Sequence, residues 1–192
     1  MDIIMIRHGE SDDNVSKIFS RDTTKLTEKG KNQIRETKNL LKNYKFDKVY
    51  YSPLTRTDET RQHLELEGIE ENRIREINFG IFTGYSFEEF THAYPNESKL
   101  WIEDPNTYLV PEGESIDMVY ERVKNFLEEV TKLDENVLIV THEGIIRLIC
   151  SWVFDDPKHF FRFRANNGSI SIVTVDDGYK YIKELNNSQS RD

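Results

Sequence analysis

Asp2-Ile3-Ile4-Met5-Ile6-Arg7-His8-Gly9-Glu10-Ser11 decides the fold, because a short apolar run there breaks off into a turn carrying a cation, an imidazole and a glycine. Such a run between polar residues reads as a buried strand of a parallel sheet. In open α/β sheets ligands bind in the crevice beyond the carboxyl ends of the strands. Arg7 and His8 therefore stand where a site is expected, and other strands should deliver matching groups.

Outward from that strand, residues 11–26 are polar and irregular, too long for a tight turn, and read as a loop lining the site. Thr27 and Glu28 start a crossover helix whose broken apolar face is Ile34, Leu40 and Leu41. Phe46 to Tyr51 reads as a second strand. Ser52 as N-cap and Pro53 at the first helical position then predict a helix from about Leu54 to Leu66, with Arg56 near its beginning. Residues 67–114 hold glycines 68, 80 and 84, prolines 95, 105 and 111 and many aromatics. They read as an irregular insertion over the site, with a short helix announced by the capping box Ser86 to Glu89. The aromatics Phe79, Phe82, Tyr85, Phe87, Phe90, Tyr94 and Trp101 read as packing.

Ser115 caps the clearest amphipathic helix, with Ile116, Val119, Val123, Phe126, Leu127 and Val130 at three- and four-residue spacing. Val137-Leu138-Ile139-Val140-Thr141 is another buried strand, broken off by His142-Glu143-Gly144, and an apolar helix follows from Ile145 to about Phe154. Phe160 to Arg164 reads as a structural edge segment. Ser169–Val175 and Tyr179–Leu185 flank Asp176-Asp177-Gly178, a hairpin signal. That hairpin either extends the sheet or offers an edge for a homodimer, and the polar tail from Asn186 should fray. Together the elements predict a single α/β domain over residues 1–192. It is a three-layer sandwich with a mostly parallel central sheet flanked by helices, plus the insertion and the C-terminal β-hairpin.

Composition narrows the partners. The 192 residues suit one domain with a substantial core, and 36% hydrophobic with 11% aromatic residues argue against disorder. A net charge of −9 implies no general attraction to nucleic acid or to an anionic membrane. The single cysteine, Cys150, excludes an internal disulfide and is compatible with a reducing compartment. No stretch has the apolar length of a membrane span and no signal pattern opens the chain, so a cytoplasmic location is the default expectation.

Three predicted strands thus end in Arg7-His8, in the turn leading to Arg56, and in His142. If they are sheet neighbours, two guanidiniums and two imidazoles converge on one crevice, with helix N-termini near Pro53 and Glu143 adding N–H donors. Such a pocket suits a phosphoryl group, whose oxygen pairs match arginine forks. Arginines beside His8 and His142 would repel a dication, and no third ligand is evident, so no metal is expected. The Gly-x-Ser-x-Gly elbow, the phosphate loop and the dinucleotide fingerprint are missing. Histidine as nucleophile remains.

Arg7-His8-Gly9-Glu10-Ser11, with Asn14, resembles the Arg-His-Gly signature of the histidine phosphatase superfamily, in the branch that includes cofactor-dependent phosphoglycerate mutases. Leu26 to Gly30, Ser52 to Thr57, Glu76 to Gly84, Pro111 to Ser115 and Thr141 to Arg147 look like the family's later blocks in the family's order. The resemblance implies that His8 attacks phosphorus and becomes a phosphohistidine. Its other ring nitrogen should donate to a backbone carbonyl. It implies further that Arg7, Arg56 and His142, the last if protonated, neutralise the equatorial oxygens, that Asn14 donates to the same oxygens, and that Glu76 is the proton donor and then the base. No metal or organic cofactor is implied. Gly9 would let the backbone turn beside the phosphate.

Departures concern the pocket wall. Ser11 stands where threonine is common, Phe82-Thr83-Gly84 where the family often has Trp-Glu-Gly, and Ser20-Arg21 where mutases carry a glycine and an aromatic. Ser20, Arg21 and Glu143 are further candidates for substrate contact, Arg21 for a second anionic group. The leading reading is a metal-independent phosphatase of a small phosphorylated metabolite, resembling broad-specificity and α-ribazole-phosphate phosphatases. A cofactor-dependent phosphoglycerate mutase is the alternative; a phosphoprotein phosphatase and an inactive phosphate-ligand sensor are the remaining ones.

Overall fold

The computed structural model describes residues 1–188. Six strands, β1 (Asp2–Arg7), β2 (Lys48–Tyr51), β3 (Ile69–Glu70), β4 (Val137–Thr141), β5 (Ile170–Asp176) and β6 (Tyr179–Asn187), form one sheet in the order β3-β2-β4-β1-β5-β6. The first four are parallel; β5 and β6 run antiparallel as a hairpin on the far side of β1. The hairpin thus extends the sheet. Its tight turn is the Asp-Gly device expected from the sequence. Asn187 still belongs to β6, and the rest of the expected frayed tail, residues 189–192, lies outside the described residues.

Alternation along β1 splits the core in two. Ile3 and Met5 face α6 (Ile116–Val130) and α7 (Glu143–Trp152) in one apolar cluster. Ile4 and Ile6 face α2 (Glu28–Leu41) in another, with Leu64 of α3 (Thr55–Leu64). Both faces of the sheet are covered, which is why β1 and β4 read as unbroken apolar runs. The result is the three-layer α/β sandwich. Among the described residues no helix is long and apolar enough to cross a membrane.

Several elements differ from the sequence reading. The segment 11–26 contains a helix of its own, α1 (Asp12–Ser16), capped reciprocally by Ser11 and Asn14, a pairing masked by its short length. The second strand starts at Lys48, since Asp47 is engaged with Asn136 through its backbone N–H and its carboxylate. Ser52 does not cap α3. The cap position is Leu54, Pro53 lies outside the helix, and the Ser52 hydroxyl is committed to His142. Helix α3 ends at Leu64 because Glu65 turns into the left-handed region. Helix α7 opens two residues earlier than expected, with His142 itself at the cap.

Residues 67–114 are more regular than glycine and proline content suggested. They hold β3, α4 (Phe87–Ala93) with the expected Ser86/Glu89 capping box, and α5 (Pro95–Glu103), led by Pro95 at its start. The segment near Phe160 is a 3₁₀ turn, Pro157–Arg162, packed on α7.

Candidate active site

The ladder carries the site past the ends of the strands. The His8 N–H donates to Thr141 O at 3.0 Å and the Ser52 N–H to Val140 O at 3.0 Å, so the residues following β1, β2 and β4 are level in one crevice. The topology therefore brings together Arg7, His8, Arg56 and His142 as the strand-end argument required. The His8 and His142 rings lie 5.3 Å apart, edge to face.

His8 is almost fully buried. Its Nδ1 lies 2.7 Å from the Gly9 carbonyl, which can only accept, so Nδ1 carries the proton. Arg56 Nε donates to His8 Nε2 at 3.2 Å, which places the lone pair there. Burial first, then Arg56 and Arg7, holds this imidazole well below the ordinary histidine range. It is a neutral ring with its lone pair on Nε2, the form a nucleophile needs.

Arg56 is fully buried and its second contact is Nη1 to Arg21 O at 3.0 Å. Arg7 extends its Nη1 to Ala165 O at 2.6 Å and to Glu143 Oε2 at 2.8 Å. Burial works against both guanidiniums, and the nearby carboxylates Glu143 and Glu76 for Arg7, with Glu76 foremost for Arg56, partly restore them. A guanidinium starts far above neutrality, so both stay charged.

His142 is fully buried, with Nε2 2.7 Å from Ser52 Oγ. Burial, Arg56, His8 and Arg7 keep it well below its ordinary value. The resemblance gives His142 a charge-neutralising role only if it is protonated, and these surroundings favour the neutral ring.

Glu76 was invisible to pattern and came only from the family resemblance. It sits on the stretch between Ile74 and Phe79, accepts from the Ile77 N–H at 3.1 Å, and has its carboxyl raised by burial against the opposing pull of Arg56 and Arg7. Two contacts aim it. Arg122 of α6 donates to the Glu76 carbonyl at 3.2 Å while clamping Glu114 through two nitrogens, at 2.9 and 3.0 Å. Gly144, in the first turn of α7, leaves room for the carboxyl: a Cβ there would come within 2.4 Å of Glu76 Oε1.

The remaining candidates are distributed less simply. Asn14 spends its carbonyl oxygen on Ser11 and on Asn167 Nδ2, each at 3.1 Å, so only its amide nitrogen remains as the donor anticipated. Ser20 is half-buried in the loop before Arg21. The Arg21 side chain is held by buried Asp13 at 2.9 Å, with Thr24 on the same carboxylate, so it already has its anion. Glu143 bridges Arg7 and Arg147, and as a contact to an anionic substrate it would serve only through those arginines.

Sequence reasoning missed Asn167 and Gly168. Asn167 Nδ2 donates to His8 O at 3.1 Å, and the Gly168 N–H lies 3.1 and 3.2 Å from Arg7 O and His8 O. Their signal was only an Asn-Asn-Gly turn before a strand. Gly9 has a different reason from the one expected. Its φ is not positive; a Cβ there would lie 2.5 Å from the Gly30 carbonyl, and one on Gly30 2.1 Å from Glu10 O. The glycine pair lets α2 cross the turn at backbone distance.

Beside the crevice a cleft of about 200 Å³ is lined by Glu76, Glu143, Gly144 and Arg147 and walled by Phe19, Phe79, Trp101, Phe160 and Phe161. Phe82 and Phe90, with ring centroids 4.4 Å apart, form the buried centre behind it, as expected for packing aromatics. Phe79 and Trp101 do more, because they face the cleft.

The model of branch 1 of the histidine phosphatase superfamily matches residues 3–188. The chain belongs to the histidine phosphatase superfamily. Among curated relatives of this histidine phosphatase is phosphoserine phosphatase 1 of Hydrogenobacter thermophilus, 34% identical with 96% of this chain and 91% of the relative covered. Another is the adenosylcobalamin/alpha-ribazole phosphatase of Salmonella typhimurium, 29% identical with 97% and 96% covered. The fold is also that of the alpha-ribazole phosphatase of Shigella flexneri, at a TM-score of 0.89, 24% identity and 97% and 96% coverage. A phosphoserine phosphatase mutant of Entamoeba histolytica, solved with phosphoserine, superposes at 0.85, with 25% identity and 98% of both chains covered. The class works through a phosphohistidine, and these relatives are phosphatases, which makes this chain a phosphatase.

Proposed function

We propose that this single domain hydrolyses a small phosphate monoester in two displacements on His8, with no metal required. The observation that carries the reading is the pair of hydrogen bonds on His8, Nδ1–H to Gly9 and Nε2 free to act but for Arg56. In the first step Nε2 attacks phosphorus and the phosphorus–oxygen bond to the alcohol breaks. Arg56 and Arg7, relieved of their present acceptors, follow the charge on the equatorial oxygens, with Asn14 and His142 as neutral donors. The raised carboxyl of Glu76 gives its proton to the leaving oxygen. In the second step the Glu76 carboxylate takes a proton from water, the hydroxyl oxygen bonds to phosphorus, and the phosphorus–nitrogen bond breaks. Inorganic phosphate leaves and both residues regain their starting forms.

The leaving alcohol occupies the aromatic cleft. Glu114, Glu143 and Arg147, the charged groups lining it beside Glu76, are already ion-paired with Arg122, with Arg7 and Arg147, and with Glu143. Arg21 is likewise paired. A second strong anion on the substrate would have to break one of these pairs. This favours an alcohol with an apolar or planar body over phosphoserine or a phosphoglycerate. Phosphate release from a panel containing an aryl phosphate, alpha-ribazole phosphate, O-phosphoserine and 3-phosphoglycerate tests the reading. Turnover should survive EDTA and vanish in His8→Ala. Interconversion of phosphoglycerates dependent on 2,3-bisphosphoglycerate, without phosphate release, would overturn it.

A further inference from the structure

In the proposed reaction His142 is a buried imidazole held neutral, which must nonetheless present a proton to a phosphoryl oxygen. Its Nδ1 is buried and without a hydrogen-bond partner among the described residues, while Nε2 has one neighbour, Ser52 Oγ, at 2.7 Å. Ser52 is itself fully buried. Its hydroxyl oxygen faces the Leu54 N–H at 3.5 Å, which supplies a weak donor and no acceptor. Among the described residues the hydroxyl proton has one acceptor in reach, the His142 Nε2 lone pair. The opposite arrangement, Nε2–H donating to Oγ, would strand two buried groups, the Ser52 hydroxyl proton and the Nδ1 lone pair, against the single Nδ1–H left open in this one.

We propose that Ser52 is a positioning residue that fixes His142 in the Nδ1–H tautomer, so that His142 acts on the substrate phosphoryl group as a neutral donor. This rests on the phosphohistidine reading above for its function, though not for the tautomer. It also explains why Ser52-Pro53 stands at a helix start without capping it: the side chain is turned back onto the neighbouring strand end. The charged and titratable groups around His142 agree. Arg7 and His8 approach from the end of β1, Arg56 from α3 and Arg122 from α6, and all disfavour an imidazolium, whereas Glu143, next along α7, is held by Arg7 and Arg147. Four such neighbours make protonation a poor source of the donor, and a fixed tautomer a sufficient one.

The test combines spectroscopy without substrate and kinetics with it. In protein labelled with ¹⁵N-histidine, with His142→Gln identifying the signal, His142 should show a protonated Nδ1 and an unprotonated, hydrogen-bonded Nε2 from pH 6 to 8. An Nε2–H tautomer or an imidazolium at pH 7 would overturn the proposal. Ser52→Ala should shift the signal toward Nε2–H and lower kcat about tenfold with KM nearly unchanged. It should also add an acid-favouring limb to the rate profile, since the variant needs His142 protonated to donate. Ser52→Thr, which keeps the hydroxyl, should restore the tautomer and most of kcat; if it behaves like Ser52→Ala while its melting temperature matches wild type, the proposal fails. His8→Ala tests the phosphohistidine reading separately, and its outcome leaves the tautomer result standing.

Discussion

The floor of the crevice and the aromatic wall beside it are built on opposite principles. On the floor, Arg7, His8, Ser52 and His142 take their places from backbone ladders running through β1, β2 and β4, and each side chain has a polar partner within the fold. In the wall, Phe19, Phe79 and Trp101 are placed by ring-to-ring packing, with Phe19 to Phe79 at 4.6 Å and Phe19 to Trp101 at 6.0 Å. Ladder placement fixes each group through backbone hydrogen bonds and suits chemistry. Ring packing tolerates exchange of shape and suits choice of alcohol.

If that division holds, changes on the floor should abolish turnover and changes in the wall should only redistribute it. The largest effect is expected for His8→Ala, which removes the proposed nucleophile and should leave no measurable phosphate release and no acid-labile phosphoenzyme in a rapid-quench experiment. Glu76→Gln should come next, with a loss of about 10²–10⁴ in kcat on an alkyl phosphate and less on p-nitrophenyl phosphate, whose leaving group needs no proton. Because burial raises this carboxyl, wild-type kcat for the alkyl ester should fall as pH rises through that value, and the falling limb should be missing in Glu76→Gln. Gly144→Ala sharpens the comparison. Alanine suits the first turn of a helix, yet its methyl collides with the Glu76 carboxyl, so kcat should drop ten- to a hundredfold while the melting temperature stays within a few degrees. Trp101→Ala, in the wall, should change the ranking of substrates by several-fold in kcat/KM and leave the reaction with the smallest phosphate ester almost untouched. A tenfold loss of kcat on every ester would break the division.

The smallest effect is on stability. His8 and His142 are both depressed in the folded chain, so the unfolded chain binds more protons below its own histidine value. Their contribution is therefore present above about pH 6.5 and lost as pH falls through the folded values. Urea midpoints measured from pH 7.5 to 5 should decline, and the decline should be shallower in His8→Gln.

How far the sequence carried this picture follows from the same division. The apolar runs Ile3–Ile6 and Val137–Val140 are buried on both faces, so their strand character and the groups at their ends could be read directly. The Thr27 and Ser115 caps could be read because a local hydrogen bond defines them, with Gly30 N–H and Met118 N–H as donors. Glu76 could not, since nothing local distinguishes it from other carboxylates; Arg122 and Gly144 aim it from 46 and 68 positions away in the chain, as residue numbers show. Ser52 was misread because a serine before a proline satisfies the local rule for a cap, and only the neighbouring strand reveals the competing partner. Arg21 reads as free for a substrate in the sequence, because nothing local shows that Asp13, eight residues earlier, holds it.

One close approach has a wider consequence. Gly9 and Gly30 touch backbone to backbone, and Thr27 of the α2 cap is bonded to Glu10 through both its N–H and its hydroxyl. The turn bearing His8 and the first turn of α2 therefore form one joint, without a side-chain layer to absorb error between them. A single methyl group added on either glycine would act as a wedge and tilt the helix and the His8 ring together. For anyone re-engineering this enzyme, the outer face of α2 is open to change, but its opening residues must be inherited together with those around His8, as one part.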